Sequence, residues 1–103
     1  MAEQGVVVAR VNDIKDGEIF ATVIDETPVA LTCLDGQIRA FGDICTHDDG
    51  PLAEGNIVDG CVVCPRHGAC FDLLTGKPTF PAVTPIPIYN VEIQGENVIV
   101  RLE

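Results

Sequence analysis

Two short segments of this sequence each place a histidine just beyond a cysteine. Cys45 is followed two positions later by His47 in CTHDDG, and Cys64 is followed three positions later by His67 in CPRHGA. These are the only two histidines in a chain of 103 residues. Thiolates and imidazoles bind zinc and some iron–sulfur clusters, so the four residues predict a metal centre held by two loops.

A tetrahedral zinc site is one chemistry that these four residues could support. Structural zinc sites often contain Cys-x₂-Cys pairs, and Cys61-Val62-Val63-Cys64 has that spacing. Two successive valines, however, favour an extended strand over a tight metal-binding turn. The sequence also has no His-x₃₋₅-His pair to complete such a site. A zinc-stabilised β interaction module is therefore kept as an alternative from a different functional class.

The chain around the two pairs alternates short β-like runs with turns. Asp35-Gly36 separates VALTCL from QIRAF and favours a two-residue hairpin, and QGEN, residues 94–97, predicts a second hairpin of the same type. Alternating apolar residues over 86–102 slip in phase near Asn90. Helical periodicity is not sustained over three turns anywhere. These patterns predict an all-β fold of antiparallel hairpins that closes as a small barrel or sandwich.

The middle of the chain, about residues 42–84, has a different composition. Gly, Pro, Asp, Cys and His concentrate there, including both histidines and four of the five cysteines. A long irregular stretch inside a small domain usually needs something to hold it in place. The sequence thus predicts a single domain, residues 1–103, with the metal site on a loop subdomain inserted into a β scaffold.

Charge and composition narrow the partners and the compartment. Six Lys+Arg against sixteen Asp+Glu give a net charge of −10, which disfavours nucleic acid and anionic membranes. A protein partner with a basic face fits this charge better. No apolar run approaches the ~20 residues of a membrane span, and the N-terminal residues lack the features of a signal peptide. We expect a cytoplasmic protein with reduced thiols.

The order and spacing of the four residues resemble the Rieske motif, C-x-H-x₁₅₋₁₇-C-x₂-H. Here CTH and CPRH are separated by sixteen residues. The following segment, HGACFDLLTGKPTFPAVTPIPIYNVEIQ, resembles that of Rieske-type ferredoxins. The resemblance implies an antiparallel β domain with one Rieske-type [2Fe-2S] cluster per chain. It also implies that Cys45 and Cys64 bind one iron, and His47 and His67 the other.

The resemblance further implies a role in electron transfer. The chain is similar to the ferredoxin component of aromatic-ring-hydroxylating dioxygenase systems, which carries single electrons from a flavin-dependent reductase to a terminal oxygenase. With both histidines used by the cluster, no histidine is left for a second iron site, so we expect no enzyme activity of its own. The Rieske-like small subunit of a nitrite reductase is an alternative with the same architecture.

Four positions depart from the pattern of high-potential Rieske proteins. Those proteins have a disulfide-forming cysteine in each loop, whereas the corresponding residues here are Gly50 and Arg66. They also present serine and tyrosine hydroxyls toward the sulfurs, and the corresponding residues here are Ala69 and Phe71. Losing these donors destabilises a reduced, more negative cluster. The resemblance therefore implies a reduction potential at the low end of the Rieske range.

The remaining acidic and thiol side chains near the motif complete the expectations. Asp48 and Asp49 follow His47 and would lower the potential further by repulsion. Cys33 is predicted to be a buried packing residue. Cys61 and Cys70 are predicted to pack as free thiols, without serving as ligands or forming a disulfide.

Overall fold

Nine strands form two antiparallel sheets in the part of the chain that the structure describes, residues 5–102 of a computed structural model. A six-stranded sheet has the order β1-β9-β8-β4-β3-β2, and a three-stranded sheet has the order β5-β6-β7. The strands are β1 (Val6–Arg10), β2 (Phe20–Ile24), β3 (Thr27–Leu34), β4 (Gln37–Gly42), β5 (Asn56–Val58), β6 (Cys61–Val63), β7 (Cys70–Asp72), β8 (Ile88–Gln94) and β9 (Asn97–Arg101). A short 3₁₀ helix, Val11–Asp13, follows β1.

The six-stranded sheet curls into a nearly closed barrel. Its two edge strands, β1 and β2, contact each other across the gap. Its interior is filled by fully buried apolar side chains, among them Val29, Leu31, Ala40, Val98 and Val100. The predicted all-β barrel is therefore confirmed. No helix in the described part of the chain is long and apolar enough to span a membrane.

Both predicted hairpins form, but with different turns. Asp35-Gly36 has φ values of 52° and 81°, the two left-handed residues that a type I′ turn requires. In the β8–β9 hairpin, Gly95 has a φ of 61°, whereas the φ of Glu96 is not positive. This pattern fits a type II′ turn with glycine first. The prediction of a second two-residue hairpin is thus correct, and the two hairpins differ in turn geometry.

The phase slip near Asn90 coincides with a change of partner along β8. Ile88 and Tyr89 pair with β4, whereas residues 90–94 pair with β9. Ile88 packs with the buried cluster that includes Phe41, whereas Tyr89 and Val91 pack with the barrel core. The slip in the apolar pattern therefore marks the point where the strand passes from one core to the other.

The insertion between β4 and β8, residues 43–87, contains the three-stranded sheet and the irregular loops. Its core is continuous with the scaffold, since Phe41 and Ala30 of the barrel strands pack with buried residues of the insertion. Those residues are Cys45, Leu52, Val62, Cys64, Ala69, Phe71, Leu73, Ala82 and Ile86. At its base, the N–H of Gly42 donates to the carbonyl oxygen of Pro87 at 3.0 Å.

The three cysteines outside the predicted ligand set are half-buried free thiols. Cys33 lies at the edge of the barrel core, packed against it but not enclosed, and is close to the Asp35-Gly36 turn of the β3–β4 hairpin. The prediction of a buried Cys33 is therefore wrong in degree. Cys61 and Cys70 lie on the adjacent strands β6 and β7, both as free thiols.

Candidate metal centre

The two ligand loops, loop 1 (residues 45–50) and loop 2 (residues 64–69), share one pattern of backbone hydrogen bonds. The N–H of Cys45 donates to the carbonyl oxygen five positions ahead at 2.7 Å, and its own carbonyl accepts the N–H four positions ahead at 2.7 Å. Cys64 makes the same two bonds in loop 2, at 2.8 and 3.0 Å. Each loop is thus a closed turn that begins at its cysteine.

The same backbone requirement appears at the fourth position after each cysteine. Gly68 has φ 78° in loop 2, and Asp49 has φ 63° in loop 1. Glycine enters the left-handed region freely, and Asp is among the few other residues that do so at modest cost. The left-handed backbone of the turn therefore accounts for an aspartate at position 49.

The loops differ at the second and third positions after the cysteine. The histidine comes second after Cys45 in loop 1 and third after Cys64 in loop 2. The other position is occupied by Asp48 in loop 1 and by Arg66 in loop 2. Each loop therefore offers one imidazole and one charged side chain beyond its cysteine.

The two thiols lie together beneath the loops. Cys45 and Cys64 are fully buried, and their sulfurs form a group with a carboxylate oxygen of Asp48 in which all three atoms lie within 4.8 Å of one another. Burial raises the pKa of the Cys45 thiol, and the backbone N–H of His47 opposes that rise. A cation is what such a buried pair needs to become two thiolates.

The two imidazoles lie together at the surface. The ring centroids of His47 and His67 are 4.9 Å apart, with an interplanar angle of 88°. The His67 side chain is 54% exposed, and His47 is also exposed. The structure therefore brings all four predicted residues to one place, with sulfur donors inside and nitrogen donors outside.

This division into pairs decides which metal group the site fits. In a tetrahedral zinc site the four ligand atoms lie within about 4 Å of one another, because zinc binds sulfur at about 2.3 Å and nitrogen at about 2.0 Å. Among the described residues, no group of three ligand atoms within 4.8 Å includes either imidazole. Two thiols in one pair and two imidazoles in another fit a centre with two metal ions.

Asp48 and Arg66 join the two loops. Arg66 Nε donates to Asp48 Oδ2 at 2.6 Å, Nη2 donates to the carbonyl oxygen of Pro51 at 3.1 Å, and Nη1 lies 3.4 Å from Glu54 Oε1. The guanidinium holds the pKa of the Asp48 carboxyl well below its usual range. The sequence predicts a repulsive effect of the Asp48 charge and gives no partner for Arg66. The structure instead pairs them.

Two further polar contacts that the sequence did not reveal support loop 1. The buried carboxylate of Asp43 accepts the N–H groups of Leu52 at 2.8 Å and Ala53 at 2.7 Å. Thr46 Oγ1 donates to the carbonyl oxygen of Thr84 at 2.6 Å, which ties loop 1 to the proline-rich segment 80–87. The sequence signal for the first contact is an aspartate among turn residues, and this signal does not identify the groups that Asp43 binds.

The fold and the donor set define a small all-β protein with a two-metal sulfur–nitrogen site. The family described as "Rieske [2Fe-2S] domain" matches residues 4–90, and the chain belongs to this family. Its cofactor is accordingly a Rieske-type [2Fe-2S] cluster.

Similar proteins are named as ferredoxins. The 3-phenylpropionate/cinnamic acid dioxygenase ferredoxin subunit of Escherichia coli (strain K12) is 38% identical over 95 residues, covering 89% of this chain and 88% of that protein. The ferredoxin of carbazole 1,9a-dioxygenase from Nocardioides aromaticivorans IC177 superposes with a TM-score of 0.92 at 28% identity, over 98% of this chain and 100% of that one. A chain in a complex of reduced oxygenase and oxidized ferredoxin in carbazole 1,9a-dioxygenase has a TM-score of 0.89 at 29% identity, over 98% and 95%.

Proposed function

We propose that this chain is a cytoplasmic one-electron carrier that passes electrons from a flavin-dependent reductase to a terminal oxygenase and has no enzymatic activity of its own. In this proposal Cys45 and Cys64 hold one iron of the cluster, and His47 and His67 hold the other. The observation that carries it is the separation of the donors into a buried thiol pair and an exposed imidazole pair. When bound, the cluster supplies a reversible one-electron couple, within about −150 to +300 mV for the class.

The chain's own residues give the site a protected side and an open side. Burial of both cysteines keeps water from the sulfur donors, whereas the exposed imidazoles provide the edge through which a partner can exchange electrons. Ala69 and Phe71 are fully buried and have no hydroxyl to donate. The absence of these donors supports a potential at the low end of the class range.

The surface beside the imidazoles suits a transient protein contact. Phe80 and Val83 are 86% and 82% exposed, and both lie on the segment that Thr46 ties to loop 1 through Thr84. Exposed large apolar side chains on a segment bonded to a ligand loop favour docking of a protein, and the acidic chain favours a partner with basic residues. The names of the similar ferredoxins support an aromatic-ring oxygenase as that partner.

The two alternatives are weaker for different reasons. A nitrite reductase small subunit would have the same ligands and fold, so geometry does not separate it, and support for the oxygenase system comes from the named ferredoxin relatives. A zinc module would need the four donors around one ion, which the separate pairs do not favour. Only a cluster would absorb visible light.

The test is a redox titration of the purified protein followed by visible absorbance and electron paramagnetic resonance. A reversible one-electron couple near the low end of the Rieske range, with a spectrum typical of two-histidine ligation, is the expected result. The reduced protein should then transfer electrons to an aromatic-ring oxygenase supplied with its substrate. A colourless zinc protein, or a reduced cluster that serves only a nitrite reductase, would overturn the proposal.

A further inference from the structure

The guanidinium of Arg66 lies directly against Gly50 of the opposite loop. A Cβ atom built on Gly50 would be 2.5 Å from Arg66 Cζ, 2.7 Å from Nη2 and 2.8 Å from Nε. Gly50 is not among the residues with positive φ, so its backbone has no need of glycine. The space that glycine leaves is therefore used by Arg66, which crosses from loop 2 and packs on loop 1.

In the described part of the chain, the polar contacts of this guanidinium go to loop 1 and to residues just beyond it. Its acceptors are the Asp48 carboxylate, the Pro51 carbonyl and the Glu54 carboxylate. The Arg66 and Asp48 side chains are 30% and 19% exposed, so this pair is better shielded from solvent than a typical surface ion pair. A planar guanidinium that is bonded at several points and lies close to a neighbouring backbone holds its neighbours in one arrangement.

The charge of Arg66 also acts at the sulfurs. The Asp48 carboxylate that it pairs belongs to the group with the Cys45 and Cys64 sulfurs. An unpaired carboxylate at that distance would repel an added electron. Arg66 therefore has two separable effects. One is on the arrangement of the loops, and the other is on the electrostatic environment of the cluster.

We propose that Arg66 is a positioning residue that fixes the two ligand loops against each other by seating its guanidinium on Gly50, and that it offsets the charge of Asp48 at the sulfur side of the site. It acts as a non-covalent cross-link between the loops. The inference rests on the ligand assignment proposed above.

The Gly50 contact allows a test that leaves Arg66 itself unchanged. Gly50→Ala adds one methyl group that the backbone tolerates but that must displace the guanidinium. The experiment compares the wild-type holoprotein with Gly50→Ala, Arg66→Met and the double variant. Arg101→Met is the matched control, since Arg101 forms an ion pair with Glu92 at 2.7 Å on the barrel. The measurement is the rate at which visible absorbance fades in the presence of an iron chelator.

The expected result is a coupling between the two positions. Gly50→Ala should accelerate cluster loss several-fold in the wild-type background and have no further effect when Arg66 is methionine. Arg66→Met should accelerate it at least as much, and Arg101→Met should match the wild type. An equal effect of Gly50→Ala in both backgrounds, or equal behaviour of Arg66→Met and Arg101→Met, would overturn the loop-fixing role.

Reduction potentials test the second effect, which a purely structural role would not produce. Arg66→Met should shift the potential to a more negative value, and Arg66→Lys, which restores the charge without the planar fork, should recover the potential more fully than the rate of cluster loss. An unchanged potential in Arg66→Met would refute the charge role. If the ligand assignment were wrong, the wild-type protein itself would lack the two-histidine spectrum, so the two failures are distinguishable.

Discussion

Asp48 Oδ2 lies 3.6 Å from His67 Nδ1, and the two residues occupy the same position in their respective loops, third after the cysteine. The carboxylate is therefore directed at the site from the position where the other loop carries an imidazole. It lies near the two sulfurs on one side and near His67, a proposed iron ligand, on the other. Asp48 is therefore the acidic side chain that is best placed to influence the reduction potential of the site.

The first prediction separates the two neighbouring aspartates. Asp48→Asn should raise the reduction potential, because it removes a negative charge within 4.8 Å of both sulfurs and leaves the Arg66 charge less compensated. Asp49→Asn should change it much less, since Asp49 is exposed and screened by water. Asparagine also tolerates the left-handed backbone of position 49, so that variant is a fair control. Equal shifts in the two variants would contradict this account.

The second prediction separates the two cysteines of CVVC. Cys64→Ser should lower the iron content at least about tenfold, since even outer-shell substitutions cost about 10–100-fold in metal affinity. Cys61→Ser should keep the visible spectrum, because Cys61 lies on β6, outside the group formed by the sulfurs of Cys45 and Cys64. Iron analysis with absorbance spectra checks both. Loss of colour in Cys61→Ser would show that the ligand set is wrong.

The third prediction concerns the reactivity of Cys61 with pH. Burial, and then the charges of Asp72 and Cys70, raise the pKa of this thiol, so it stays protonated at a pH where a free cysteine has begun to ionise. Iodoacetamide should therefore alkylate Cys61 more slowly than glutathione at pH 8, and the difference should shrink as the pH rises through the elevated pKa. Peptide mass mapping of the holoprotein measures the rate. Alkylation as fast as that of glutathione at pH 8 would refute the prediction.

The fourth prediction tests the base of loop 1. Asp43→Ala should destabilise the protein by about 2–4 kcal/mol, because it leaves the N–H groups of Leu52 and Ala53 without a charged acceptor. For a domain of this size that corresponds to a fall in Tm of at least about 8 °C. Asp43→Asn keeps an acceptor oxygen and should therefore lose less stability. Thermal unfolding monitored by circular dichroism measures both, and equal Tm values for the two variants would count against the carboxylate's role.

The fifth prediction concerns docking. Phe80→Ser should weaken binding to the terminal oxygenase by about tenfold or more, because a buried phenylalanine contributes about 1.5–3 kcal/mol. Val23→Ser is the matched control, since Val23 is 65% exposed but lies on β2 of the barrel. Stopped-flow electron transfer at varied carrier concentration measures the affinity, with the potential of each variant determined alongside. If both variants bind alike, Phe80 lies outside the contact.

The sequence was sufficient for the elements that local patterns determine. Asp35-Gly36 predicted its hairpin because few residues other than glycine and aspartate tolerate two left-handed positions in succession. The phase slip near Asn90 was visible because the apolar residues on its two sides pack into different cores. The grouping of the two Cys/His pairs followed from the motif, and the structure brings all four side chains to one site.

The contacts that support the site were not predictable in the same way. Arg66 meets Asp48 across eighteen positions of sequence and Thr46 meets Thr84 across thirty-eight, and neither pair belongs to a repeating pattern. The role of Gly50 is also invisible in the sequence, since it depends on what fills the space that a side chain would take. Such contacts follow from the tertiary arrangement of loops rather than from local propensity.

The hydrogen bond from Gly42 to Pro87 has a consequence for how this architecture can be re-used. The chain leaves the barrel at the end of β4 and re-enters it beside the same point, where Phe41 pairs with Ile88. The 45 residues between them, 43–87, thus form a contiguous cassette with adjacent ends. A host sheet for this cassette would need to supply one antiparallel rung and an apolar surface like that of Ala30 and Phe41, which pack with its core.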